Sequence, residues 1–407
     1  MKDNTKVNLA LLLFTVFVPL YTLETYLEFK IKFPVTIIQK KAEQMSLPFD
    51  ARTQMEVLSD LRQDGIDAYP AIAPRFILDT NVNGLKTNGK MFFPLGSISN
   101  KTTTACNEWG YRLIYESDEH GFNNPKNLYK INGTDIVLTG DSYTDGFCVK
   151  PDENIGAVLR NSGFNTISVG KAGNGSLLEF AALKEYAEPI KPKIVLWLYF
   201  ENDLDDLQIE MKSSLLMQYL LEDGFTQNLI SNQKQIDSVL TSYVKGMEQD
   251  WNQREKTEVL HSRPTRMLKL TNIRGKISLA SKPKPDIPVS TIDVFKAISD
   301  KSKKMVSKWN GRLYFVYLPV FYRYSMDKGN SSILGMKYRD RVLNIARKLD
   351  IPIIDIHKEV FASHPDPLSL FPFRTFGHYN AEGYRLVAEA IAKRLHEDNF
   401  IPTSQNL

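Results

Sequence analysis

Three things are scarce in this sequence of 407 residues: cysteine, long apolar runs, and an excess of charge of either sign. Only two cysteines occur, and the formal net charge is +4 at pH 7. So mild a positive charge, without a recognisable DNA- or RNA-binding motif, excludes nucleic acid as the expected partner. With 43% hydrophobic and 24% charged residues, the composition is that of a globular protein. We find no internal repeat, so the length predicts one large domain with additions, or two domains.

The one long apolar run is "VNLALLLFTVFVPLYTL", Val7 to Leu23, which carries no charge. As a helix it would reach about 26 Å, enough for a thin bilayer. The following "ETYLEFKIKF" lacks a small-residue cleavage site, which favours an uncleaved anchor over a cleaved signal peptide; a buried core helix is the third alternative. We therefore predict a tail over residues 1–6 and a single-pass transmembrane anchor over 7–26.

Lysines flank the apolar run on both sides, so their positions do not indicate which side of the membrane is cytoplasmic. The side on which the rest of the chain lies is therefore predicted from the cysteines. A bridge between Cys106 and Cys148 would close a loop worth about 4 kcal/mol on the chain-entropy model. Disulfides persist in exported compartments, so a bridge would place the domain outside the cytoplasm. The alternative is two unrelated buried thiols.

Apolar, β-branched runs alternate with amphipathic helical stretches after the lead-in. The runs are Asp135–Thr139, Thr166–Val169, Ile194–Phe200, Arg312–Leu318 and Pro352–Ile356. The clearest helix comes last, with Asn380 as N-cap and one apolar stripe of Tyr384, Val387, Ala388, Ile391 and Leu395. This βαβ rhythm predicts an α/β fold, in which helices cover both faces of a parallel sheet.

The alternation of strand and helix patterns is absent from two stretches, and these stretches set the predicted domain boundaries. We expect an irregular lead-in over residues 27–126, a main domain over 127–398 with a helical insertion at about 207–289, and a tail over 399–407. Seven Lys or Arg residues and no acidic residue occur from Arg263 to Lys284. Such a stretch would attract an anionic glycan or lipid headgroups; a solvated loop is the simpler interpretation.

One apolar run leads directly into a serine, in "DIVLTGDSYTDGF". Ligands gather beyond the carboxyl ends of parallel strands, which is where Ser142 falls. A nucleophilic hydroxyl needs a base and also donors for the oxyanion that its attack creates. Candidate groups follow later strands: the Gly173 N–H in "SVGKAGNG", the Asn202 amide in "LYFENDLDDL", and the His378 imidazole in "FGHYNAEGY".

These four residues occur in the order of the four blocks of the SGNH, or GDSL, hydrolase superfamily, which the sequence resembles from Asp135 to about His396. The resemblance implies a flavodoxin-like three-layer sandwich with strand order 2-1-3-4-5. It also implies ester chemistry through an acyl-enzyme, with no metal or organic cofactor. Ser142 would be the nucleophile and an oxyanion donor, Gly173 and Asn202 the other donors, and His378 the general base.

The sequence departs from the family pattern twice. The family has glycine two residues before the asparagine, where this chain has Phe200, and aspartate three residues before the histidine, where this chain has Thr375. A triad aspartate orients the imidazole and stabilises its charge. Three substitutes stay open: the carboxylate of Asp355, that of Asp366, or a backbone carbonyl that orients a serine–histidine dyad.

Three functions are compatible with these blocks. The first is an esterase that removes acyl groups from an envelope glycan or a related ester. The second is an O-acyltransferase that passes the acyl group to a surface polysaccharide, and the third is a non-catalytic glycan-binding protein that keeps the fold. The anchor and the basic insertion favour an acylated glycan at a membrane as the partner.

Overall fold

The computed structural model describes residues 2–32, 37–130, 133–257, 286–325 and 332–402, together with 267, 269–270 and 272–274. The chain divides into two compact units. The first consists of residues 1–37 and 243–285, and the second of residues 38–242 and 286–407. Every residue of the predicted serine site lies in the second unit.

The first unit contains helix α1 (Lys2–Lys32), which has Pro19 in its interior. Over Lys6–Leu27 this helix is long and apolar enough to cross a membrane, a finding of length and composition alone. Its buried Glu24 accepts hydrogen bonds of 2.9 Å from the main-chain N–H groups of Asn272 and Ile273. Most of the basic stretch from Arg263 to Lys284 lies outside the described residues.

The lead-in holds more regular structure than its sequence predicts. Its elements are α2 (Ile37–Gln44), α3 (Gln54–Gln63), β1 (Ala68–Pro70), α4 (Pro74–Thr80), β2 (Leu85–Thr87), β3 (Lys90–Phe92), β4 (Thr102–Thr104) and β5 (Ile114–Glu116). β1 pairs parallel with β4, which pairs antiparallel with β5, while β2 and β3 form a separate pair. Strands of three residues are too short to show a period-2 pattern, which explains why the sequence reads as irregular.

The centre of the second unit is a five-stranded parallel sheet. Its strands are β6 (Ile136–Gly140), β7 (Thr166–Ser168), β8 (Ile194–Phe200), β9 (Arg312–Leu318) and β10 (Ile353–Asp355). They lie in the order β7-β6-β8-β9-β10, and every neighbouring pair is parallel. In chain order this is 2-1-3-4-5, so the predicted flavodoxin-like sheet is confirmed.

Helices cover both faces of this sheet. From β6 onward, the α-helices that begin in the second unit are α5 (Ser142–Asp145), α6 (Ile155–Asn161), α7 (Ser176–Ala182), α8 (Asp203–Glu210), α9 (Ser214–Leu221), α10 (Gln233–Thr257), α11 (Val289–Ser307), α12 (Ser332–Lys348) and α13 (Ala381–Glu397). Of these, α10 ends in the first unit and is not counted among the helices on the sheet. α6 packs against α13, and α7 packs against α8, α9 and α11. The first helix that lies wholly within the predicted insertion, α9, thus packs on α7 and α11, as does α8, which begins before the insertion.

Strand β8 contributes side chains to an apolar core on each face of the sheet. Leu196 and Leu198 pack in one apolar cluster with residues of α6 and α13, whereas the Tyr199 ring lies 5.6 Å from Phe295 of α11. Successive side chains of a strand point to opposite faces, so a strand buried on both sides is apolar throughout. The result is a three-layer sandwich in which the carboxyl ends of the parallel strands β6, β7 and β8 lie at the same edge of the sheet.

Candidate active site

Ser142 is the first residue of α5 and follows β6 after a single residue, Asp141. The Asp141 carboxylate caps α5 by accepting the Tyr143 N–H at 3.0 Å. Gly140 has φ of +157°, and a Cβ there would lie against the Thr144 hydroxyl and 2.7 Å from the Leu198 carbonyl oxygen. Glycine is therefore required where the chain turns from strand to helix, and this turn presents the serine at the sheet edge.

His378 lies on the loop before α13, and its Nε2 is 2.8 Å from the Ser142 Oγ. The carboxylate of Glu108 holds the other side of the ring, with Oε1 3.0 Å from Nδ1, and its Oε2 accepts the His378 main-chain N–H at 2.7 Å. The carboxylate favours the tautomer with the proton on Nδ1, which leaves Nε2 free to accept the serine proton. Serine, histidine and glutamate thus form one hydrogen-bonded chain.

The acidic partner changes the proton affinity of the imidazole. Burial alone would lower the pKa of His378, but attraction to Glu108 and their hydrogen bond outweigh burial, so the pKa is raised. Burial likewise opposes the charge of Glu108, yet its contacts with His378 hold the pKa of this carboxyl below its ordinary value. The pair therefore favours a carboxylate facing a readily protonated ring, as a general base requires.

Neither aspartate that the sequence offered as the triad acid reaches His378. Asp355 instead forms an ion pair with Arg339, and Asp366 forms one with Arg374. Thr375, at the family's aspartate position, donates its hydroxyl hydrogen to the Pro372 carbonyl oxygen at 2.8 Å. The carboxylate that contacts the His378 ring is that of Glu108, 270 residues away along the chain, so the structure brings neither Asp355 nor Asp366 to the histidine.

A disulfide ties the loop that carries Glu108 to the serine side of the site. Cys106 and Cys148 are bonded at an S–S distance of 2.06 Å. Glu108 is the one acidic residue between Cys106 and Leu113. The sequence therefore holds one signal for this glutamate, because a Cys106–Cys148 bridge ties its loop to the rim of the site.

Close packing fixes Glu108 from the histidine side as well. The neighbouring Trp109 ring lies 5.3 Å from the Phe373 ring. A Cβ at Gly377 would lie 2.8 Å from the Glu108 Oε2 and 2.7 Å from the Pro372 Cγ. No side chain fits between the backbone of the histidine loop and the carboxylate, so residue 377 must be glycine for this contact to form.

Gly173 and Asn202 follow β7 and β8, the two strands that flank β6. Gly173 has φ of +75°, and Arg75 packs beside it. The Asn202 amide donates to the Asp206 carboxylate at 2.8 Å, and Asp206 in turn accepts from Arg75 at 2.6 Å. Arg75 and Asp206 therefore connect the two loops predicted to supply the oxyanion donors, at the same end of the sheet as Ser142.

Among the described residues, one group has three potential metal ligands close together, and it is this same site. Ligand atoms of Glu108, Cys148 and His378 all lie within 4.8 Å of one another. The Cys148 sulfur is bonded to Cys106 and so is no thiolate, and Glu108 and His378 bind each other. We assign no metal to this group.

Several solved structures are similar to this chain, each at low sequence identity. No protein-family model and no curated protein matches the sequence. Similar solved structures include a member of the lipolytic protein G-D-S-L family from Veillonella parvula, at 12% identity and a TM-score of 0.36, covering 64% of this chain and 96% of that one. A lipase/acylhydrolase from Enterococcus faecalis has 14% identity and a TM-score of 0.33, with 65% and 96% covered. An acetyl xylan esterase has 11% identity and a TM-score of 0.33, with 64% and 99% covered. With TM-scores below 0.5, these likenesses do not establish a function.

Proposed function

We propose that this protein is a serine esterase of the SGNH type, which hydrolyses an O-acyl ester through an acyl-enzyme. The observation that carries the proposal is the chain of contacts from Ser142 Oγ to His378 Nε2 at 2.8 Å and from Nδ1 to Glu108 at 3.0 Å. A nucleophile, a base and a group that orients the base are the three parts that such catalysis requires. Each comes from a different part of the chain, which makes a chance arrangement a poor explanation.

In the first half of the reaction, Ser142 Oγ gives its proton to His378 Nε2 and attacks the ester carbonyl carbon. The main-chain N–H groups of Ser142 and Gly173 and the Asn202 amide are the donors for the resulting oxyanion. Glu108 stabilises the imidazolium that forms beside it. His378 then returns the proton to the leaving alcohol as the C–O bond breaks, and the acyl group stays on the serine.

In the second half, water replaces the alcohol. His378 takes one proton from the water as its oxygen attacks the acyl carbon, and the oxyanion occupies the same donors. Collapse of the tetrahedral intermediate breaks the bond to Ser142 Oγ, which recovers its proton from His378. The products are a carboxylic acid and the free enzyme, so one ester bond and one water molecule are consumed in each turnover.

The proposed substrate is an acylated glycan or a related ester at a cell envelope. Two features support this setting: the apolar helix over Lys6–Leu27 is long enough to anchor the chain, and the Cys106–Cys148 disulfide suits an exported compartment. We therefore place the catalytic unit outside the cytoplasm. A member of the same group of similar structures is described as an esterase active on acetylated mannans, which is the kind of substrate proposed here.

The experiment uses the full chain in a non-ionic detergent, with p-nitrophenyl acetate and a fluorophosphonate probe. We expect acetate release and labelling of one serine, both lost in Ser142→Ala. The matched control is Ser59→Ala, an exposed serine on α3, which should retain both. Labelling and turnover that persist in Ser142→Ala would contradict the proposal, as would their absence from the natural chain. Turnover that requires an added sugar acceptor would instead assign acyl transfer.

A further inference from the structure

A cavity of about 170 Å³ lies between the lead-in and the serine side of the site. Most of its lining side chains are alanine or phenylalanine. They are Ala71, Ala73, Phe76, Ala105, Phe147 and Ala172. Ala71, Ala105 and Phe147 pack in one small apolar cluster, so the wall is a continuous surface. We call this cavity the acyl pocket.

Two walls of the acyl pocket adjoin the proposed catalytic machinery. The Phe147 ring packs on the imidazole of His378, with ring centroids 5.2 Å apart. Ala172 directly precedes Gly173, the proposed oxyanion donor, and its N–H points to the Asp145 carboxylate at 3.4 Å. Ser142, Gly173 and His378 do not line the pocket themselves, so an ester whose carbonyl sits between Ser142 and Gly173 reaches it past Phe147 and Ala172.

The charged groups at the edge of the pocket are engaged elsewhere. The buried Lys171 ammonium lies 3.0 Å from the Asp145 carboxylate, so the two charges neutralise each other. The Arg112 guanidinium donates from Nη1 to the Ala105 carbonyl oxygen at 2.7 Å and from Nη2 to that of Arg52 at 2.9 Å. Gln54, the other polar side chain of the lining, donates its amide to the Thr104 carbonyl oxygen at 2.7 Å. The rest of the surface is apolar and recognises an uncharged group by its size and shape.

We propose that the acyl pocket receives a short, uncharged acyl group of up to about six carbon atoms. This inference rests on the proposed esterase function. A cavity of about 150 Å³ holds one benzene ring, so this cavity has room for roughly six carbon atoms. The alanines of the lead-in leave that space open, and the bulk of Phe76 closes its outer side. A chain of eight carbons exceeds the space.

The first test measures kcat/KM of the full chain in non-ionic detergent on p-nitrophenyl acetate, butyrate and octanoate. We expect acetate and butyrate to differ by less than tenfold and octanoate to be slower than both by at least fiftyfold. Equal or faster turnover of octanoate would overturn the inference. So would a preference for a succinyl ester, whose carboxylate would pair with Arg112.

Two variants change the pocket in opposite directions. Ala73→Leu adds three carbons to the wall and should lower kcat/KM for butyrate at least tenfold relative to acetate, because a few methylene groups discriminate by that much. Phe76→Ala removes a ring that is 51% exposed, so the fold should tolerate it, and octanoate turnover should rise at least tenfold. Ala51→Leu, at an exposed position of the lead-in, is the matched control and should change neither ratio.

The outcomes separate this inference from the function on which it rests. No turnover of any ester and no fluorophosphonate labelling would mean that the proposed esterase function fails. Turnover that depends on Ser142 but shows no chain-length limit, or variants that leave the ratios unchanged, would mean that the acyl pocket alone fails.

Discussion

Glu108 binds His378 twice, through the ring Nδ1 at 3.0 Å and through the main-chain N–H at 2.7 Å. One carboxylate thus fixes the tautomer of the ring and the position of the loop that carries it. This double contact is the part of the site that departs most from the pattern in the sequence.

Replacing Glu108 with glutamine should lower kcat by on the order of 10³- to 10⁴-fold, because the amide neither fixes the tautomer nor stabilises the imidazolium. The measurement is steady-state hydrolysis of p-nitrophenyl acetate. Glu116→Gln, an exposed position on β5, serves as control and should match the natural chain. A kcat within tenfold of the natural value would show that Glu108 is not the orienting acid.

The rate should fall on the acid side of neutrality. Only the neutral imidazole accepts the serine proton, and the pKa of His378 is raised above its ordinary value by Glu108. As the pH falls, His378 therefore becomes protonated, and so inactive as a base, at a higher pH than a free histidine does. In Glu108→Gln the raising charge is gone, so the acid limb of the kcat/KM profile should move to lower pH. If the acid limb stays at the same pH in Glu108→Gln, the titration of a group other than His378 causes it.

Removing the disulfide, with Cys106→Ser and Cys148→Ser together, should lower the free energy of unfolding by about 4 kcal/mol on the chain-entropy model. The loop it closes spans 42 residues. Thermal unfolding of the second unit gives the measurement, and esterase assays on the same sample report whether Glu108 still reaches His378. Reduction of the natural chain should reproduce the shift in melting temperature and should leave the double variant unchanged.

Gly377→Ala tests the close approach of the histidine loop to Glu108. The added methyl group would lie 2.8 Å from the Glu108 Oε2, so the carboxylate must move. We expect kcat to fall about 10- to 100-fold, since small displacements of catalytic groups have effects of that size. Gly246→Ala on α10 has open space around the new methyl group and should leave kcat unchanged.

Asp366→Asn should leave kcat within twofold of the natural value. Its carboxylate pairs with Arg374 at the surface, and exposed pairs of this kind contribute little. A large loss of kcat in Asp366→Asn would indicate that Asp366 acts as the triad acid. The comparison with Glu108→Gln therefore decides between the acid that the sequence suggested and the one that the structure provides.

The sheet was predictable because its strands are buried on both faces and read as apolar runs; Ile194–Phe200 and Arg312–Leu318 are the same in the sequence and in the structure. The Ser142–His378 pair follows from strand ends that must share one edge. No periodic pattern around Glu108 predicts its contact with His378, which forms only through tertiary packing; the one signal in the sequence is the nearby Cys106. The two aspartates that most closely precede His378 in the sequence are Asp366 and Asp355, and neither contacts the ring.

The position of Glu108 also determines which part of the chain the proposed active site requires. A fragment starting at residue 127 would keep all five strands of the parallel sheet, together with the serine and the histidine. It would lose the glutamate, one of the two bridging cysteines and most of the alanine wall that limits the acyl chain. The proposed active site therefore extends beyond the sandwich, because the hundred residues ahead of the sheet contribute to it as much as the sheet does.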